Sequence, residues 1–133
     1  MTPAKAEALG RAWIAAGGGW RDGMLDGHTG HRIALGPDGE SYTVRKSDGQ
    51  SWPDLRDPAT RGAALDVVRE RWGDPLVCVI GTIDHPCYIG ITTAPRTDWR
   101  IDAWTADVSD LHGYDSEAAA LLAALVAALG VKP

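Results

Sequence analysis

The segment from Pro53 to Gly73 constrains the fold of this 133-residue chain most strongly, because it carries the signals for both ends of a helix. Asp57 suits the N-cap, and Pro58 suits the first helical position, where a missing backbone N–H costs nothing. Gly73 fits the C′ position, and Pro75 prevents the helix from continuing. An apolar face at helical spacing lies between these ends and is formed by Ala64, Leu65, Val68 and Trp72.

Two further helices are predicted near the two ends of the sequence. Residues 3–16 form the first, with Thr2 as its N-cap and the glycines at 17–19 as its end. The last helix begins after Asp115, its predicted N-cap, and ends at Leu129. It carries no charged residue from Ala118 onwards, and a helix that is apolar all round requires burial on more than one side.

Five short segments have the composition or alternation of β-strands. The turn sequence GPDG predicts a hairpin between the first two, and the next two are predicted to form a second hairpin. The last segment alternates and is a candidate edge strand. The segments are His31–Leu35, Ser41–Lys46, Leu76–Ile83, Cys87–Thr92 and Trp99–Trp104. The predicted fold is therefore a single α+β domain over residues 1–133, in which three helices pack on a small antiparallel sheet of four or five strands.

The apolar character of the last helix leaves two ways to bury it. Either the sheet and the first helix cover it within one chain, or a second copy of the chain does. Under the second alternative, the residues of a homo-oligomer interface would be Leu121, Leu122, Leu125, Val126 and Leu129.

Charge and cysteine content exclude several classes of partner. The net charge is −5 and no block of Lys or Arg occurs, which argues against nonspecific nucleic-acid binding and against an anionic membrane surface. Two cysteines do not make a disulfide framework, and no signal-peptide pattern is present, so we expect a cytoplasmic protein. The longest uncharged stretch, Ala118 to Val131, is too short to span a bilayer.

Motifs for metals, cofactors and nucleophilic catalysis are weak. His28 and His31, with His85 and Cys87, do not have the spacing of zinc ligands, and no metal is expected. Cys87 with His85 or His112 would be a thiol nucleophile only if the fold brought them together. No glycine-rich phosphate loop is present, so no cofactor is expected. Four carboxylates are candidates for a cleft, although turn and cap positions explain them better: Asp22, Asp26, Asp54 and Asp57.

A mixed arginine and aromatic surface is the remaining candidate site. Guanidinium groups bind phosphates bidentately, and tryptophan faces stack on bases or cations. These chemistries predict a ligand-binding surface, suited to a small nucleotide, formed by Trp20, Arg21, Tyr42, Arg45, Arg96, Trp99 and Arg100. The alternative is that the arginine side chains simply lie over aromatic rings at an ordinary surface.

The central segment also carries a resemblance. Its residues Pro-Asp-Leu at 53–55, Asp-Pro-Ala-Thr at 57–60 and Val-Arg-Glu-x-Trp-Gly at 68–73 resemble a motif of small accessory proteins of tailed phages and prophages. The resemblance implies a phage accessory gene whose product acts inside an infected bacterium. It implies no particular activity, and the caps and the apolar face of the helix are enough to explain the motif structurally.

Three functions are compatible with these features. The first is a small phage-encoded protein that binds and neutralises a host factor without catalysis, as an inhibitor of a defence protein or a sequesterer of a nucleotide signal. The second is a small hydrolase acting on a nucleotide or peptide through Asp or His acid–base residues. The third is a virion assembly factor.

Overall fold

The computed structural model describes residues 1–73, 78–81, 89–92 and 116–129, which fall into two compact units divided after Ala64. The described residues contain four helices: α1 (Pro3–Ala15), α2 (Tyr42–Lys46), α3 (Pro58–Trp72) and α4 (Glu117–Leu129). They also contain two short strands, β1 (Cys78–Gly81) and β2 (Ile89–Thr92). None of the described helices has the length and apolar character needed to cross a membrane.

The predicted fold class is wrong, because helices dominate the described residues. In place of a sheet of four or five strands there is one antiparallel pair, β1 with β2, in which Cys78 faces Thr92 and Gly81 faces Ile89. The predicted strand Trp99–Trp104 lies outside the described residues.

The first predicted hairpin is also wrong. Its second strand is the helix α2. Its first strand instead forms an isolated bridge between Leu25 and Arg32, with flanking backbone hydrogen bonds to residues 23–26. Tyr, Thr and Val favour strands as isolated residues, but Ser41 caps α2 by accepting the Val44 N–H at 3.4 Å. The predicted GPDG turn, at residues 36–39 between the two segments, is present and is closed by the Gly36 N–H, which donates to the Glu40 carbonyl at 2.8 Å.

The predicted ends of α1 and α3 are confirmed. The Thr2 hydroxyl accepts the Lys5 N–H at 3.2 Å, and the Asp57 carboxylate accepts the Thr60 N–H at 2.9 Å. Gly73 follows α3 with a φ of +66°, the left-handed conformation that glycine adopts at no steric cost. At α4 the sequence predicts Asp115 as the N-cap. The capping hydrogen bond is made by Ser116, whose hydroxyl accepts the Ala119 N–H at 3.1 Å.

The first unit has a core built around two tryptophans. Trp13 is fully buried, and its indole N–H donates to the Gly19 carbonyl at 3.0 Å, which ties the loop after α1 to the helix. Trp52 is buried against Gly10 of α1, where any side chain would collide with its ring. The remaining large apolar core residues of this unit are Met24, Ile33 and Leu55.

In the second unit, the backbone of α4 runs alongside β1 and β2. The Trp72 indole N–H at the end of α3 donates to the Ala124 carbonyl of α4 at 3.0 Å. Leu121 and Leu125 are buried, as are Val67 and Val68 of α3. The apolar spacing in α3 therefore does mark a buried face, although Trp72 and Leu65 are only half-buried.

Candidate functional site

Asp26 is the most buried carboxylate among the described residues and is fully occupied by hydrogen bonds. One oxygen accepts the backbone N–H groups of His28 at 2.9 Å and Trp52 at 3.4 Å. The other accepts the hydroxyls of Ser51 at 2.6 Å and Thr29 at 2.9 Å. Burial alone would raise the pKa of Asp26, but together these four bonds outweigh it and lower the pKa. Asp26 therefore organises the loop that follows it.

Asp57 has a second structural role besides capping α3. The Arg32 guanidinium holds it in a bidentate pair, with the Nη2 atom 2.9 Å from Oδ1. Its other oxygen also accepts the Thr60 hydroxyl at 2.9 Å. The pair with Arg32 is the main reason that the pKa of Asp57 lies far below the ordinary value, with the Thr60 bonds adding to it. The Thr60 hydroxyl in turn accepts the Leu25 N–H at 2.8 Å.

The other two candidate carboxylates are likewise committed to local structure. Asp54 is held by Arg56 through bonds of 2.9 and 2.8 Å, and mainly for this reason its pKa is lowered. Asp22 accepts the Leu35 N–H at 2.6 Å. The interpretation of these residues as turn and cap residues is therefore supported by their hydrogen bonds, and the same contacts account for much of the Pro53–Thr60 motif.

Two of the predicted ligand-binding residues, Trp20 and Arg45, line one cleft of about 290 Å³ in the first unit. Trp20 follows Gly19, whose carbonyl accepts the Trp13 indole N–H, and Leu35 is held by the bond from its backbone N–H to Asp22. The Ser41 cap starts α2 and so fixes Arg45. We call this the Trp20 cleft; its walls include Trp20, Leu35, Glu40, Ser41, Val44 and Arg45.

The charge of the Trp20 cleft is close to balanced rather than strongly positive. Arg45 pairs with Glu40 at 2.8 Å and with Asp38 at 3.3 Å. All three side chains are about 60% exposed, so these pairs contribute little and can rearrange around a ligand. The cleft combines the aromatic side chain of Trp20 with one adaptable guanidinium group.

Tyr42 lies on a different cleft, of about 430 Å³, which sequence interpretation did not identify as a site. The residues that define this second cleft include His28, Thr29, His31, Tyr42, Lys46 and Ser47. The sequence offered one signal, the His28-x2-His31 pair, but it gave no reason to place Lys46 beside them. We call this the histidine cleft. Within the described residues, no group of three or more His, Cys, Asp or Glu is placed to hold a metal ion.

The remaining predicted site residues are distributed as follows. Arg21 is half-buried and does not line either cleft. Three others lie outside the described residues: Arg96, Trp99 and Arg100. The same is true of the histidines and the cysteine considered for catalysis, His85, Cys87 and His112.

The predicted oligomer interface on α4 is divided by burial. Leu121 and Leu125 are almost completely buried within a single chain, whereas Val126 is 52% exposed and Leu122 is half-buried. The side chain of Leu129 lies outside the described residues. Of the four whose side chains the structure describes, Val126 and Leu122 are therefore the ones accessible to a second copy, and the interface stays a prediction.

No known family model matches the chain, and no curated protein or solved structure shows significant similarity to it.

Proposed function

We propose that this protein binds a small ligand without transforming it. The proposal rests on one observation: the carboxylates of Asp26, Asp54 and Asp57 all accept hydrogen bonds that hold the local structure together. Their lowered pKa values keep all three ionised at neutral pH, so none of them suits the role of a general acid. A hydrolase that uses these carboxylates is therefore the less favoured alternative.

The Trp20 cleft is the proposed binding site. An indole face suits a flat aromatic group such as a nucleobase, and stacking of that kind contributes about 1–3 kcal/mol per base. Arg45 is beside it, and its exposed pairs with Asp38 and Glu40 are each worth less than about 1 kcal/mol. A polar group on the ligand can therefore compete for this guanidinium. These features support a nucleoside-like ligand.

The cellular setting comes from the resemblance of residues 53–73 to phage accessory proteins. In that setting we propose an anti-defence role in the cytoplasm of an infected bacterium, in which the protein withholds a nucleotide signal from the host or blocks a host defence protein. Homo-oligomerisation through the exposed part of α4 is part of this proposal. No contact among the described residues favours a virion assembly factor.

The proposal is tested by calorimetric titration with adenosine, guanosine, cytidine and uridine and with their monophosphates. We expect saturable binding of at least one of them, weakened about tenfold by Trp20→Leu through loss of base stacking. Arg45→Gln should also weaken binding, whereas its matched control Arg11→Gln should not, because Arg11 is likewise an exposed arginine with a carboxylate partner, Glu7, but lines neither cleft.

Recovery of the ligand unchanged after incubation is expected of a binder. Chemical conversion of the ligand would contradict the proposal, as would binding that Trp20→Leu leaves unaffected or a complete absence of binding by all the probes.

A further inference from the structure

The histidine cleft differs from its surroundings in the chemistry of its walls. The chain as a whole carries a net charge of −5, yet none of the described residues that line this cleft has a carboxylate. Its walls contain the imidazoles of His28 and His31, the ammonium group of Lys46 and the hydroxyl of Tyr42. All of these groups can donate hydrogen bonds to an anion.

Those donors come from two neighbouring segments, each of which is held by hydrogen bonds. Asp26 organises residues 28–31, since it accepts the His28 N–H and the Thr29 hydroxyl. The same turn is closed by the Gly30 N–H donating to the Asp26 carbonyl at 2.8 Å, and by the His31 N–H donating to the Thr29 hydroxyl at 3.2 Å. The two imidazoles are therefore presented by a backbone that is already ordered, which reduces the entropy lost on binding.

The helix α2 supplies the opposite wall. Tyr42 and Lys46 are spaced i,i+4, so they share one face of α2, and the Lys46 Nζ atom lies 5.5 Å from the centre of the Tyr42 ring. The Ser47 hydroxyl fixes the end of this helix by donating to the Val44 carbonyl at 2.7 Å and accepting the Ser51 N–H at 3.2 Å. Residues Val44 and Arg45 of the same helix line the Trp20 cleft instead.

In the part of the chain that the structure describes, the donors of the histidine cleft are not held by hydrogen bonds or ion pairs, and the Lys46 ammonium group lies over the Tyr42 ring instead. Among the described residues, the two imidazoles and the Lys46 ammonium group make no hydrogen bond or ion pair with another side chain. By contrast, Arg32, Arg45 and Arg56 are each paired with a carboxylate. An incoming anion at the histidine cleft would not have to displace an internal partner.

We propose that the histidine cleft is a phosphate-binding site, in which Lys46 supplies the charge and His28 and His31 supply directed hydrogen bonds. This site is distinct from the Trp20 cleft and does not depend on ligand binding there. Phosphate fits because it is compact, has several acceptor oxygens and forms charge-assisted hydrogen bonds with such groups. Inorganic phosphate and the phosphate of a nucleotide share this chemistry.

The test is a titration of ¹⁵N-labelled protein with inorganic phosphate at constant ionic strength, with chloride as the competing anion. We expect saturable shifts of the backbone amides of residues 28–31 and 42–47. Lys46→Gln should weaken phosphate binding about tenfold, the effect of losing one charge-assisted bond. Lys5→Gln is the matched control, because Lys5 is an exposed lysine of α1 that lines neither cleft, and it should leave the affinity unchanged.

Two further comparisons complete the test. His31→Gln should weaken phosphate binding, and Trp20→Leu should not, so failure at this site is distinguishable from failure of the proposed nucleoside site. A parallel titration with adenosine monophosphate and adenosine separates the two sources of phosphate. Absence of saturable shifts with phosphate, or equal weakening by Lys46→Gln and Lys5→Gln, would overturn the proposal.

Discussion

Replacement of Asp26 has a cost that can be worked out from its four hydrogen bonds. Asp26→Ala leaves the buried N–H of Trp52 and the partly buried N–H of His28 without their acceptor, and a fully buried donor without a partner costs about 1–3 kcal/mol. The Ser51 and Thr29 hydroxyls can rotate towards other acceptors, so they add less. We expect a total loss of about 2–5 kcal/mol in the free energy of unfolding, which is a large part of the 5–15 kcal/mol typical of a domain.

Asp26→Asn should be much milder. The asparagine oxygen can still accept the two backbone N–H groups, and its amide group can donate to the two hydroxyls after they rotate, so we expect a loss of about 1–2 kcal/mol. The assay is urea unfolding followed by circular dichroism, with Asp22→Asn as the control at an exposed carboxylate that accepts one bond. A loss below about 1 kcal/mol for Asp26→Ala would refute the role of this carboxylate.

Three further predictions follow from the packing and the carboxylates. Gly10→Ala should destabilise the protein by about 1–3 kcal/mol because its Cβ would collide with Trp52 and the Pro53 carbonyl. Gly62→Ala should instead stabilise the protein by about 0.5–1 kcal/mol, because Gly62 is a helical glycine with open space around it. Melting temperatures of the two variants that shift in the same direction would contradict this pair of predictions. The pKa of Asp57 is lower in the folded chain than its unfolded value of about 3.9, so its contribution to stability is complete above that pH and is lost as the pH falls through the folded-state pKa. Between about pH 5 and pH 2, the free energy of unfolding should fall less for Asp57→Asn than for the unmodified protein, because asparagine keeps the cap but not the charge.

The helix ends could be predicted from sequence because local chemistry determines them. Thr2 and Asp57 each accept a backbone N–H from the first turn of the helix that they cap, and Gly73 ends α3 through its own backbone conformation. The hairpin before Lys46 was predicted wrongly because strand propensity and a turn signal agreed with each other there. The local cap decided against them, since the Ser41 hydroxyl accepts the Val44 N–H and so favours the start of a helix at that position.

The candidate sites show the same division between local and long-range information. The interpretation of Asp54 and Asp57 as structural residues rested on spacing and agrees with their hydrogen bonds. Trp20 and Arg45 were proposed for one surface on residue type alone, and they do line one cleft. The neighbourhood of His31 and Lys46 had no sequence signal, because it depends on how a loop and α2 pack together in three dimensions.

Native mass spectrometry of the protein freshly purified from a bacterial host tests the central claim, ligand binding without catalysis, most directly. We expect an added mass of nucleoside or nucleotide size that is kept by Arg11→Gln and diminished in Trp20→Leu, with the released compound chemically intact. The same spectrum reports whether the chain is an oligomer. A bare protein in every case, or an adduct that Trp20→Leu retains undiminished, would contradict the assignment of the Trp20 cleft as the binding site.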